Sequence, residues 1–113
     1  MNRDLPAAIA TFIDATNAAD TEAFVGAFTE DATLDDWGRV FHGRDGVRSW
    51  DSTDNIGVRA HFELVFAQLG DGAAEGEGEH VVTLTVSGDG YNGTGPMRFT
   101  LRQGLIARLV IAG

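Results

Sequence analysis

The sequence predicts an α+β domain, and three observations carry that prediction. Apolar residues recur at spacings of three and four through the first half of the chain. From Val58 onward the period changes to two, as in half-buried strands. Glycine-marked turns then divide this second half into four strands. The 113 residues fit one domain spanning 1–113, and a 43% hydrophobic composition supplies a core.

The elements follow in order. Leu5, Ile9, Phe12, Ile13 and Thr16 form the stripe of a first helix, with Asp4 as its N-cap and Pro6 tolerated in its first turn. Asn17-Ala18-Ala19-Asp20 interrupts that stripe, and Asp20 caps a short second helix over 21–28 whose Phe24, Val25 and Phe28 face inward. Thr29-Glu30-Asp31 reads as a polar turn before a strand over 32–37, and Gly38-Arg39 reverses the chain into Val40-Phe41-His42. A third helix over 46–54 puts Val47 and Trp50 on one face and ends at Asn55 and Gly57.

The strands come next. Val58, Ala60, Phe62, Leu64 and Phe66 share one face of the first, opposite Arg59, His61 and Glu63. Gly70-Asp71-Gly72 turns into a strand over 74–87, in which Glu75, Glu77 and Glu79 form a solvated end and His80, Val82, Leu84 and Val86 form an apolar face. The glycine-rich run over 88–95 is a turn or a mobile lid, and strands over 97–102 and 105–112 meet at Gln103-Gly104. The last strand is apolar on both faces except at Arg108. Helices cover only one face of a curved sheet, so the other is covered by a second copy, giving a homodimer through the sheet, or by a barrel curled over its own wall.

Composition narrows the function classes. Asp and Glu outnumber Lys and Arg by 17 to 8, so the net charge of −9 opposes a nucleic-acid partner. Zero cysteines exclude disulfides, thiolate metal sites and cysteine nucleophiles. Without a long apolar run the chain is expected to be soluble and cytoplasmic, with no membrane partner. The three histidines lie in separate elements without ligand spacing, Ser49 and Ser52 lack a nucleophile-elbow context, and no phosphate-cradling loop is present. Neither a metal nor a cofactor is expected. Carboxylates, histidines and aromatics are left to do any chemistry.

Three stretches carry a family resemblance: FIDATNAAD over 12–20, FTEDATLDD over 28–36 and GRDGVRSW over 43–50. With the order of elements, they resemble the nuclear transport factor 2-like superfamily, whose members include ketosteroid isomerases, polyketide cyclases of the SnoaL type and limonene-epoxide-hydrolase-like enzymes. The resemblance implies a cone-shaped, curved antiparallel sheet wrapped around N-terminal helices, a cystatin-like α+β roll, with an apolar cavity open at one end. It also implies that Asp36 matches the isomerases' general base. The positions matching their oxyanion-hole donors are Phe12 and Met97, so both donors are missing and isomerase activity of that type is not expected.

Period-two alternation lets only one of Asp35 and Asp36 face the cavity, and the apolar companion Leu34 selects Asp36. A carboxylate between apolar walls is placed for general acid or base work, although both acids could instead be solvated at a strand end. His42 either approaches Asp36 as a proton-transfer partner or is a surface residue. Arg108 either binds a substrate oxygen in the cavity or pairs across the dimer. His61 is solvated or faces the dimer, and His80 is a satisfied core or rim histidine. Phe12, Trp37, Trp50, Phe62 and Met97 either line the cavity or simply fill the core; alternation turns Trp37 away unless it lies at the strand end or on a bulge. The expected function is proton transfer on a small apolar molecule by a cofactor-free enzyme of isomerase, cyclase, lyase or epoxide-opening type, with Asp36 and His42 as its catalytic pair. The alternative is a binding or dimerisation module of the same fold.

Overall fold

A computed structural model describes residues 5–112. Helices α1 (Ala7–Asn17), α2 (Thr21–Gly26) and α3 (Gly43–Asp54) pack against one sheet of β1 (Phe28–Asp36), β2 (Arg39–His42), β3 (His61–Leu69), β4 (Gly78–Ser87), β5 (Gly93–Arg102) and β6 (Leu105–Ile111). The strand order is β2-β1-β6-β5-β4-β3. Neighbours are antiparallel except β1 and β6, which run parallel. The α+β class is as expected, with one parallel pair in a sheet expected to be antiparallel throughout.

The α1 stripe buries Ile9, Phe12, Ile13 and Thr16. Pro6 precedes the first helical residue, and its carbonyl accepts from Ile9 and Ala10; the expected Asp4 cap lies outside the described residues. Asp20 caps α2 by accepting from the Ala23 N–H at 3.1 Å. That helix stops at Gly26, and Phe28 already pairs with Ile106 in the sheet. Thr29-Glu30-Asp31 is therefore part of β1, within an irregular stretch of the β1–β6 ladder, where a turn was expected. Arg44 fixes α3 across the start of β1 by donating from Nε and Nη2 to the Phe28 carbonyl at 3.0 and 2.8 Å.

Register shifts curve the sheet and reassign two faces. Between Leu64 and Phe66 one extra residue enters β3, so Phe66 pairs with Thr83 and turns outward, 52% exposed, while Ala67 takes the inner position opposite Val82. A second shift at Ala107 lets both Ile106 and Leu109 point into the core. The expected strand start at Val58 is replaced by a 3-10 turn, Ile56–Val58, and the expected solvated strand end at Glu75 by another, Ala73–Glu75. The first four residues of β5, Gly93 to Pro96, pair with β4, so the glycine-rich connection shrinks to 88–92. Pro96 fits because the β6 ladder ends at the Met97–Ile111 pair and asks no N–H of it.

Phe12 lies at the centre of the core. Its ring is 5.2 Å from Phe24, 6.3 Å from Phe28, 5.2 Å from Phe62 and 5.1 Å from Phe99, measured between centroids. The cavity forms beside this cluster, with Phe62 belonging to both.

Candidate functional site

Cross-strand pairing builds the floor of the cavity. Asp36 pairs with Ile111, Ile111 with Met97 and Met97 with Val82, so these four form one row on the inner face. Phe62 and Leu84 extend the floor, and the C-terminal end of α3 supplies a wall from Trp50, Asp54 and Asn55. Asn17 of α1 pins the start of β3 by accepting from the Phe62 N–H at 2.7 Å and donating to its carbonyl at 2.8 Å. The enclosed space is about 520 Å³, within the range of small-molecule sites.

The β1–β2 turn decides which polar groups meet. Trp37 and Gly38, with φ of 52° and 90°, form its two central residues. Asp35 Oδ1 accepts from the Gly38 N–H at 2.8 Å, and the Trp37 N–H donates to the Ile111 carbonyl at 2.9 Å. Asp36 therefore faces Arg39 directly across the hairpin. Arg39 Nη2 donates to Asp36 Oδ2 at 2.7 Å and to Asp54 Oδ1 at 3.0 Å, while the Trp50 indole Nε1 donates to the same Asp36 Oδ2 at 2.9 Å. Asp54 first and Asp36 second hold the Arg39 guanidinium above its ordinary pKa, so it stays charged. Both bonds to Asp36 converge on Oδ2, and no hydrogen bond occupies Oδ1 among the described residues. The Asp36 side chain retains 16% exposure.

Behind this wall lies a buried polar knot that the sequence reading did not anticipate. Asp51 accepts from the Thr21 hydroxyl at 3.2 Å and from Asn55 Nδ2 at 3.0 Å, and Asn55 Nδ2 also reaches Thr16 Oγ1 at 2.9 Å. Burial pushes the Asp51 carboxyl above its usual range, against the opposing pull of its Asn55 bond, the Ile56 N–H and Thr21. The knot ties all three helices together beneath Trp50 and fixes Asn55 in the cavity wall.

Five of the eight expected site residues belong to the cavity: Asp36, Trp37, Trp50, Phe62 and Met97. Trp37 reaches it from the turn, since its left-handed backbone releases it from strand alternation, and its ring sits at the rim, 66% exposed. Phe12 is fully buried and is a core residue, away from the lining. His42 is no partner for Asp36, because it pairs with Thr33, an odd number of residues away, and so lies on the opposite face. Arg108 also pairs with Thr33 and is exposed on that outer face, outside the cavity. His80 is satisfied in the core, accepting at Nδ1 from the Gly70 N–H and donating from Nε2 to the Glu77 carbonyl.

Arg39, Asp54, Asn55 and Tyr91 are among the lining residues missed from sequence. The signal for Arg39 was present: a two-residue turn at Trp37-Gly38 makes 36 and 39 direct partners, whereas placing the turn one residue later hides them. Among the described residues, no group of three or more potential metal ligands comes together, and no helix is long and apolar enough to cross a membrane.

A curved sheet closed at one end by helices, with an apolar floor and two carboxylates, Asp36 and Asp54, on its wall, is the architecture of the nuclear transport factor 2-like fold. The chain belongs to the SnoaL-like domain family, whose model matches residues 9–109. A Sinorhizobium meliloti protein described as a candidate polyketide cyclase is 28% identical, with 99% of each chain covered and a TM-score of 0.83. The Δ5-3-ketosteroid isomerase of a Mycobacterium species is 15% identical over 96% of this chain and 93% of its own, with a TM-score of 0.79. A Mycobacterium tuberculosis protein solved in complex with estradiol-17β-hemisuccinate is 15% identical over 94% and 92%, also at 0.79. No curated protein matches the chain.

Proposed function

We propose that the cavity binds a compact, largely apolar molecule and that Asp36 moves a proton on it without a cofactor. One observation carries this reading: Asp36 lines the cavity with one carboxylate oxygen free of hydrogen bonds among the described residues while Trp50 and Arg39 hold the other. Such a clamp fixes the carboxylate's orientation before any ligand arrives, which is what general base or acid catalysis needs. Arg39 takes the polarising role that His42 or Arg108 was expected to play, and Phe62, Met97 and Trp50 shape the space and exclude water. The reaction belongs to the isomerase, cyclase, lyase or epoxide-opening type. Mixing the protein in D2O with small cyclic ketones, diketones and cyclohexene oxide tests it, read by deuterium incorporation or product formation. Asp36→Asn should abolish whichever turnover is found; full activity in that variant would sink the assignment.

A binding module is the second reading. It is favoured by Phe12 and Met97, which offer no hydrogen-bond donor where an isomerase-type site needs two. Equal ligand affinity in the wild type and Asp36→Asn, without turnover in either, decides for it.

The outer sheet face is proposed to pair with a second copy. Val40, Val65 and Phe66 are exposed there beside charges of both signs, Asp35 and Glu79 with Arg98 and Arg108, which a two-fold axis can match to one another. Light scattering at micromolar concentration should give twice the chain mass, and a monomer refutes the pairing. A cytoplasmic location, tested by cell fractionation, completes the reading.

A further inference from the structure

The hydrogen-bonding ledger of the cavity wall is lopsided. Its neutral inner donors are spent: the Trp50 indole on Asp36, the Thr53 hydroxyl on Asp54 Oδ2 at 2.7 Å and the Ser49 carbonyl at 3.2 Å, and the Asn55 amide on Thr16 and Asp51, while Arg39 gives both Nη2 hydrogens and one Nη1 hydrogen to Asp36 and Asp54. Its acceptors are not spent. Asp36 Oδ1 has no partner among the described residues, and Asn55 Oδ1 is buried with none. The bond to the Asp51 carboxylate fixes which way the Asn55 amide points, so its oxygen is the orphan. The remaining side-chain donors are the Thr94 hydroxyl, which shares a hydrogen bond with Thr85, and those of Trp37 and Tyr91, residues two-thirds exposed at the rim.

Charge points the same way. The described lining carries Asp36 and Asp54 against Arg39 alone, a net of −1, and Arg39 already touches both acids. An incoming carboxylate would meet a guanidinium whose charge two acids already share and one uncancelled negative charge, in a chain of net charge −9. A cation or a neutral hydroxyl meets no such opposition, and the aromatic faces of Trp37 and Tyr91 at the rim attract a cation.

We propose that the polar end of the ligand is a hydrogen-bond donor without negative charge, a hydroxyl or a protonated amine, seated against the unspent carboxylate oxygen of Asp36. This rests on the reading that the cavity takes a small apolar molecule, and it adds the chemistry of that molecule's polar end.

Three probes with one apolar body test it: 2-cyclohexylethanol, 2-cyclohexylethylamine and cyclohexylacetate. Each is titrated at pH 7 and low salt while the Trp50 indole N–H resonance is followed by NMR. The alcohol and the amine should bind at least about tenfold more tightly than the carboxylate. In Asp54→Asn the wall becomes neutral and the handicap of the carboxylate should shrink about threefold or more; preserved spectral dispersion shows that the variant is folded, and if it is not, the wild-type comparison alone decides. A carboxylate that binds as tightly as the alcohol overturns the donor proposal and leaves the cavity reading standing. If none of the three moves the Trp50 resonance, the cavity reading falls and the proposal with it.

Discussion

Phe12 separates a core role from a ligand role, and its replacement gives the sharpest stability prediction. The side chain is fully buried and touches four other phenylalanine rings at 5.1 to 6.3 Å between centroids. Phe→Ala in such a site costs about 3–5 kcal/mol through lost burial plus the cavity left behind. Losing four aromatic pairs, each worth about 0.5–1.5 kcal/mol, puts Phe12→Ala near the upper end of that range. A domain of this size has about 5–15 kcal/mol in total, so the variant keeps only a fraction of it. The melting temperature should fall by about 15 °C or more, at roughly 4 °C per kcal/mol. Urea denaturation followed by circular dichroism measures the loss, with Phe12→Leu as a milder variant for the ligand arm. Because Phe12 is not on the cavity wall, Phe12→Leu should leave the affinity for a cavity ligand within about twofold, well under the tenfold worth 1.4 kcal/mol. A stability loss under about 1 kcal/mol in Phe12→Ala, far below the range for a buried aromatic, refutes the packing argument.

Two further substitutions probe the wall behind the site. Burial raises the Asp51 carboxyl above its ordinary value, so the folded state takes up a proton before the unfolded chain does; that contribution is full below about pH 3.9 and is lost as pH rises through the folded-state pKa. Asp51→Asn should therefore flatten the stability-versus-pH curve above pH 4, its advantage over the wild type growing toward neutrality in urea midpoints. An Asn variant weaker at every pH would show that the carboxylate's hydrogen bonds outweigh its burial. A Cβ at Gly57 would overlap the Ser52 carbonyl oxygen in the last turn of α3. Gly57→Ala should cost about 2–3 kcal/mol, at the high end for single substitutions, and a thermal midpoint equal to the wild type would disprove the clash.

Most of the fold was legible in the residues because long periodic stretches dominate it. The α1 stripe, the Asp20 cap and the alternation of β4 each follow from local chemistry, and the structure places them as the sequence does. Bulges were not legible. One inserted residue in β3 sends Phe66 outward, and nothing in an unbroken run of apolar residues marks where the ladder will slip. The site was legible to the same degree. Asp36 followed from its companion Leu34, and Trp50 from the α3 face. His42 and Arg108 did not hold as cavity residues, since both pair with Thr33 and parity along β1 sends Thr33 and Asp36 to opposite faces. Asn55 carried only the signature of a helix end, and its second role in the wall arises from a buried contact with Asp51 that no local pattern encodes.

The burial gradient of the cavity orders its chemistry. Leu84, Phe62 and Met97 at the floor are buried and apolar, while Asp36, Asp54 and Arg39 are progressively more exposed, with side chains at 16%, 27% and 56%. Polarity thus increases toward the mouth. A ligand gains most by entering apolar end first, which removes the larger area from water and leaves its polar end beside the Asp36–Arg39 pair. In the isomerase-type arrangement that the chain resembles, donors at the positions of Phe12 and Met97 would stabilise an oxyanion, and here both are hydrophobic side chains. Under the proposed function, negative charge that develops on the substrate would therefore develop near the mouth, within reach of Arg39. The proposed acid is the one the resemblance implies; the proposed place of the electrophilic group is not.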